Sequence, residues 1–174
     1  MSAHPARLIL LNTKRKGNIM TPVITVSEAV ALINDSILDF QDGLSKDTLD
    51  KIIFAVNNEI QIRDYLLGLP NTYPMDTCKA FLAYVSDSVD GADRYSVDTV
   101  LSAYFYETED MLDSLTYLSS ALDIKSGYPL ANLIQRVVNA GWPAGSFAEM
   151  RNELHPKVLE EIAEIADQQI LVEA

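Results

Sequence analysis

The sequence predicts an all-α protein, an array of about seven helices packed as helical hairpins with at most a short extended segment near the N-terminus. Three observations carry this expectation. Apolar residues recur every three or four positions along most of the chain, which places them on one face of a helix. Residues able to cap free backbone N–H groups stand ahead of those runs, and glycine or proline follows them. The two-residue alternation of a half-buried strand occurs only at residues 23–26.

Thr25-Val26-Ser27-Glu28 has capping-box spacing and starts the first helix, in which Val30, Ile33, Ile37 and Phe40 share a face before Gly43 ends it. Ser45 caps a longer helix to about Gly68, with Leu49, Ile52, Ile53, Val56, Ile60 and Leu67 on its stripe. Asn57 and Asn58 are mediocre helix formers, so a kink or break would fall there, and Pro70 and Pro74 close the segment. Residues 75–89 place Cys78, Phe81, Leu82 and Val85 together, and Asp90-Gly91 supplies a stop.

Ser96 is expected to cap a fourth helix with Val97, Val100, Leu101, Tyr104 and Phe105 buried. The Glu107-Thr108-Glu109-Asp110 cluster then ends it and caps a fifth, about residues 109–123, presenting Leu112, Leu115, Leu118 and Leu122. Gly127 and Pro129 mark the next turn. A sixth helix runs to Ala140, where Gly141 suits the left-handed position after a helix and Pro143 blocks continuation. Pro156 suits the first position of a final amphipathic helix bearing Leu159, Ile162, Ala163, Ala166 and Ile170.

At 174 residues, nearly half of them apolar, the chain can bury one sizeable core. Residues 20–174 are expected to form a single helical domain. Residues 1–19 have two readings: a flexible basic tail, or a stretch ahead of a true start at Met20. Arg7, Lys14, Arg15 and Lys16 surround Leu8-Ile9-Leu10-Leu11, which is too short to span a bilayer, and the charges follow the apolar run, unlike a secretory signal. Cys78 is the only cysteine, so no intramolecular disulfide forms, which fits a cytoplasmic location.

All 25 acidic residues but only nine of the 13 basic ones lie in residues 20–174, a net charge of −16. Such a field repels nucleic-acid phosphates and anionic lipid and favours a basic protein partner.

Two stretches carry a resemblance: Arg63-Asp64-Tyr65-Leu66-Leu67-Gly68, and residues 100–141 with Ser120-Ala121-Leu122-Asp123, then Tyr128-Pro129-Leu130-Ala131-Asn132-Leu133-Ile134, then Asn139-Ala140-Gly141-Trp142-Pro143. Over roughly residues 60–145 the chain resembles the C-terminal helical part of an uncharacterised actinobacterial and actinophage family, domain-of-unknown-function family forty-one ninety-two. The family's glycine-containing turn is here Glu107-Thr108-Glu109-Asp110, and its larger N-terminal portion has no counterpart. The resemblance implies a phage-encoded protein and transfers no catalytic residue. The same segment is similar to tetratricopeptide-type hairpins, whose stacked pairs leave a groove for a partner, although no 34-residue repeat recurs.

No catalytic, cofactor-binding or metal-ligating set is expected. His4 and His155 are the only histidines, and His155 reads as a helix-start residue before Pro156. Cys78 reads as a core thiol. Asp87, Asp90, Gly91 and Asp93 lack the spacing of an EF-hand calcium loop. No phosphate-cradling glycine motif, helical His pair or nucleophile elbow occurs. The expectation is therefore a non-enzymatic protein-interaction module without a cofactor, acting on a host or phage protein through an acidic helical surface. Tyr106, Tyr117, Glu107, Glu109, Asp110 and Trp142 are its candidate contact residues, since aromatics with polar tips favour interfaces. Alternatives are an acidic nucleic-acid mimic, a homodimer through the C-terminal helix, and an enzyme with scattered carboxylates.

Overall fold

The computed structural model describes residues 24–173, and the side chains up to residue 168. The basic N-terminal stretch, Val23 of the extended segment expected at 23–26, and the Ile170 side chain lie outside that description; of the rest of that segment, Thr25 is the helix cap and Val26 the first residue of the first helix. Among the described residues the chain is all-α, with eight helices: α1 (Val26–Asp39), α2 (Lys46–Asn58), α3 (Ile60–Gly68), α4 (Met75–Ser88), α5 (Tyr95–Glu107), α6 (Met111–Ile124), α7 (Pro129–Asn139) and α8 (Ser146–Glu173).

The capping box at Thr25 and Glu28 forms as the sequence implies, with the Glu28 carboxylate accepting the Thr25 N–H at 2.8 Å. Ser45 caps α2 by accepting the Thr48 N–H. The long helix expected from Ser45 to Gly68 is instead two. Glu59 is extended (φ −113°, ψ 113°), and Asn58 turns its amide onto the Phe54 carbonyl, a local bond that competes with helix continuation. The break changes the register of the stripe. Ile60 points to solvent, Leu67 is half-buried, and Ile62 and Leu66 enter the core instead.

Three further expectations are corrected. Ser96 lies inside α5, fully buried, and no side chain caps that helix. Leu112 and Leu115 are exposed, Leu112 to 77%, because α6 meets α5 through the small residues Ser114 and Ala121 together with Leu118. Finally, the last helix begins at Ser146, so Pro156 lies in its interior. Its inward face comprises Arg151, His155, Val158, Ile162 and Ile165, while Leu159 and Ala163 face solvent. Proline has no N–H to offer the carbonyl four residues earlier, and the packed inward face holds the helix together across that gap. That face packs within the chain, on α1, α3 and α5.

Two apolar cores share α5. The larger gathers Ile33, Ile37, Ile52, Leu66, Phe81, Leu82, Leu101 and Tyr104 with their neighbours from α1 to α5, and Ile162 of α8. Cys78 is part of it; burial pushes its thiol up to about 11, which keeps it protonated as expected of a core cysteine. The smaller core holds Ala103, Leu118, Ala121, Tyr128, Ala131 and Ile134, between α5, α6 and α7.

Helix α5 is buried continuously from Ser96 to Tyr104; the Ser96 hydroxyl has no hydrogen-bond partner, while Asp98, Ser102 and Tyr104 are tied to neighbouring helices. Asp98, only 1% exposed, accepts the Ser86 hydroxyl at 2.5 Å and the Ser120 hydroxyl at 2.6 Å, with Arg94 Nε 3.2 Å away. This joins α4, α5 and α6 at one carboxylate. Burial outweighs the hydroxyls and Arg94, raising the Asp98 pKa above its ordinary value. The folded chain therefore holds this proton to higher pH than the unfolded chain, and the group's contribution to stability falls as pH rises through its folded pKa. Asp98→Asn cannot ionise and should lose this pH dependence, so the parent is expected to gain stability relative to the variant as pH is lowered from 7 toward 4, as read by urea unfolding across that range.

Candidate functional site

Helices α7 and α8 rest on different parts of the molecule. α7 packs on α5 and α6, while α8 packs on α1, α3 and α5. They part over α5 and leave a cleft of about 360 Å³, which lies in the size range of ligand and side-chain pockets. Leu130, Leu133, Ile134 and Val137 form one wall, and Phe147, Met150, Leu154 and Val158 the other. Ala103, Tyr104 and Leu67 lie between them.

The sequence builds the cleft's mouth with a helix stop. At the end of α7 the Gly141 N–H bonds the Val138 carbonyl at 3.0 Å and the Trp142 N–H bonds that of Val137 at 3.3 Å. This paired arrangement needs a left-handed residue, and Gly141 sits at φ 64°. The turn delivers Trp142 to the rim, 48% exposed. Its carbonyl accepts the Tyr106 hydroxyl at 2.5 Å, and the Tyr106 ring meets Phe147 edge-on at 5.4 Å. Tyr106 thus fixes the α7–α8 connection from beneath.

Charged groups at the cleft are paired. Arg151 makes a two-pronged bond to Glu107, Nη2 to Oε1 at 2.7 Å and Nη1 to Oε2, with both side chains 12% exposed. The Arg151 Nε also reaches the Asn71 amide oxygen at 2.9 Å. Arg63 forks onto its neighbour Asp64. His155 does not start a helix: its ring lies against the backbone of Gly68 and beside Tyr65, with centroids 5.9 Å apart. The His155 Nδ1 has no hydrogen-bond partner.

The six expected contact residues therefore separate. Trp142 is at the rim, and Glu107 lines the cleft with its carboxylate committed to Arg151. Tyr106 is buried and structural, contrary to its expected place on the surface. Tyr117 is half-buried, stacked on Phe105 at 5.5 Å. Glu109 and Asp110 are exposed at the α5–α6 turn, where Glu109 takes φ 62° and Asp110 accepts the Asp113 N–H at 3.5 Å. Sequence reasoning missed Leu133, Met150, Leu154 and His155. The spacing of Leu130, Leu133, Ile134 and Val137 marked the α7 wall, whereas the α8 wall was hidden by placing the helix start at Pro156.

Among the described residues no helix is long and apolar enough to cross a membrane, and no group of three or more His, Cys, Asp or Glu is arranged to hold a metal ion. No family model, curated protein or solved structure matches the chain.

Two predictions follow from the α3–α8 contact. A Cβ on Gly68 would fall 1.7 Å from His155 Nδ1, so Gly68→Ala is expected to cost roughly 1–3 kcal/mol by forcing α8 outward. Adding His155→Ala removes the obstructing ring, so the double variant should lose less than the sum of the two singles in urea unfolding. Burial, and secondarily Arg151, lower the His155 pKa below its ordinary 6.5. A lowered folded pKa means that the stability from docking neutral His155 is present above pH 6.5 and lost as pH falls through the folded value. Melting temperatures of the parent should therefore drop more steeply from pH 7.5 to pH 5 than those of His155→Phe.

Proposed function

We propose that the protein is a non-enzymatic binding module whose α7–α8 cleft receives the apolar face of a basic, amphipathic segment from a partner protein. The cleft itself carries this reading. Its walls are apolar, and Leu133, Trp142, Met150 and Leu154 stand between 37% and 49% exposed around it. A cluster of large apolar side chains beside a preformed groove is the usual receiving half of helix-in-groove recognition.

Charge supports the basic character of the partner. Glu149, Glu153, Glu160, Glu161, Glu164 and Asp167 are exposed along α8, while the Arg151 guanidinium is taken up by Glu107 and Lys157 is the helix's other cation. The acidic field would steer a cationic helix toward the cleft, and the apolar anchors would hold it. The resemblance to the actinophage family supports a host or phage protein as that partner.

The test uses two synthetic peptides with the same leucine spacing, one carrying lysines and the other glutamates, titrated against emission from Trp142, the chain's only tryptophan. The lysine peptide should bind and the glutamate peptide should not. Leu133→Asp or Leu154→Asp, at positions about half-exposed, should weaken binding by about tenfold or more, as expected for a central interface anchor, with the helical circular dichroism of each variant matching the parent's. Equal binding of both peptides, or binding indifferent to these substitutions, would sink the proposal.

A further inference from the structure

We propose that the cleft is occupied in the free protein by the chain's own residues 7–16, so that a partner must displace a built-in competitor. The inference rests on the preceding reading of the cleft as a receptor for a basic apolar segment.

The chain contains one segment with both properties. Leu8-Ile9-Leu10-Leu11 is an unbroken apolar run flanked by Arg7 on one side and Lys14, Arg15 and Lys16 on the other. These four cations are the only charged side chains in the first 23 residues, against a body with a net charge of −16. The apolar run matches the cleft walls, and the flanking cations match the exposed carboxylates of α8.

Reach permits the encounter. The described chain begins just ahead of α1, which packs against α8, the helix that forms one wall of the cleft. Leu11 and Ile24 are thirteen residues apart in the sequence, a tether that spans up to about 43 Å when extended. A domain of this size has a radius of gyration of about 15 Å, so its full width is about 40 Å. Going round a body of that width to its far side takes about 60 Å, so the tether covers well over half of that path, starting beside a helix that touches α8, and a short tether gives its ligand a high effective concentration.

The experiment compares the full chain with the variant Leu8→Ser, Ile9→Ser, Leu10→Ser, Leu11→Ser, whose substitutions lie outside the described fold. Acrylamide quenching of Trp142 is read in low salt. The parent should be protected and the variant more quenchable, and a peptide of residues 5–18 added to the variant should restore protection. With nine-tenths of parent molecules self-occupied, the lysine peptide should bind the variant about tenfold more tightly. Replacing Lys14, Arg15 and Lys16 by Gln should weaken protection at low salt and leave little difference at high salt.

Equal quenching of parent and variant overturns the inference. Protection that disappears on dilution overturns it as well, since the occupant would then be a second copy of the chain. If the lysine peptide binds parent and variant equally, self-occupancy fails while the cleft remains a receptor. If it binds neither, the reading of the cleft fails too.

Discussion

A helix enclosed on every side must present side chains small enough to let its neighbours approach and must find partners for most of its polar groups. Helix α5 is under that constraint, and the rest of the molecule is arranged around it. Ser102 and Ser114 lie 3.3 Å apart where α5 meets α6, and the Ser114 hydroxyl bonds the Ser102 carbonyl. Tyr104 crosses to α3 and donates to the Leu66 carbonyl. Asp98 collects hydroxyls from α4 and α6. Each bond fixes a neighbouring helix at a set rotation, which hydrophobic contact alone does not do, being non-directional.

The cleft is a geometric result of the same arrangement. α5 serves two cores, and the helices closing them approach it from different directions. α7 belongs to the smaller core and α8 to the larger, so the two part above Ala103 and Tyr104. Leu67 packs against both cores, at the seam between them. The ion pair of Glu107 with Arg151 closes the seam beneath the cleft by tying α5 to α8. A carboxylate and guanidinium paired in this way contribute position more than affinity for anything else.

Much of this was legible in the sequence because helical signals are local. The capping box at Thr25, the left-handed stop at Gly141, and the core stripes of α1, α2, α4 and α5 follow from neighbouring residues. The misplacements share a different cause. Leu112 and Leu115 fit a helical stripe, yet only the partner surface decides which of two stripes is buried, and serines won that place on α6. Tyr106 became buried because the α7–α8 turn folds over it, 36 residues along the chain. Pro156 matched a helix start by type, whereas the long-range packing of His155 on α3 and the pairing of Arg151 with Glu107 of α5 carried the helix through it. The spacing of Leu130, Leu133, Ile134 and Val137 is periodic, but the divergence of two helices over a third, which opens the cleft, leaves no trace in either.

The closing position of α8 also sets an order of events. Its contacts with α1 and α3 join residues far apart in sequence, and such contacts form late because the intervening chain must first be brought together. Synthesis enforces the same sequence, since α8 emerges after the helices it packs on, α1, α3 and α5. Until then the surfaces of α1 and α3 that receive Val158, Ile162 and Ile165 stand bare. The nascent chain is thus most prone to aggregate immediately before its last described helix docks, and the α7–α8 cleft becomes complete only at that moment.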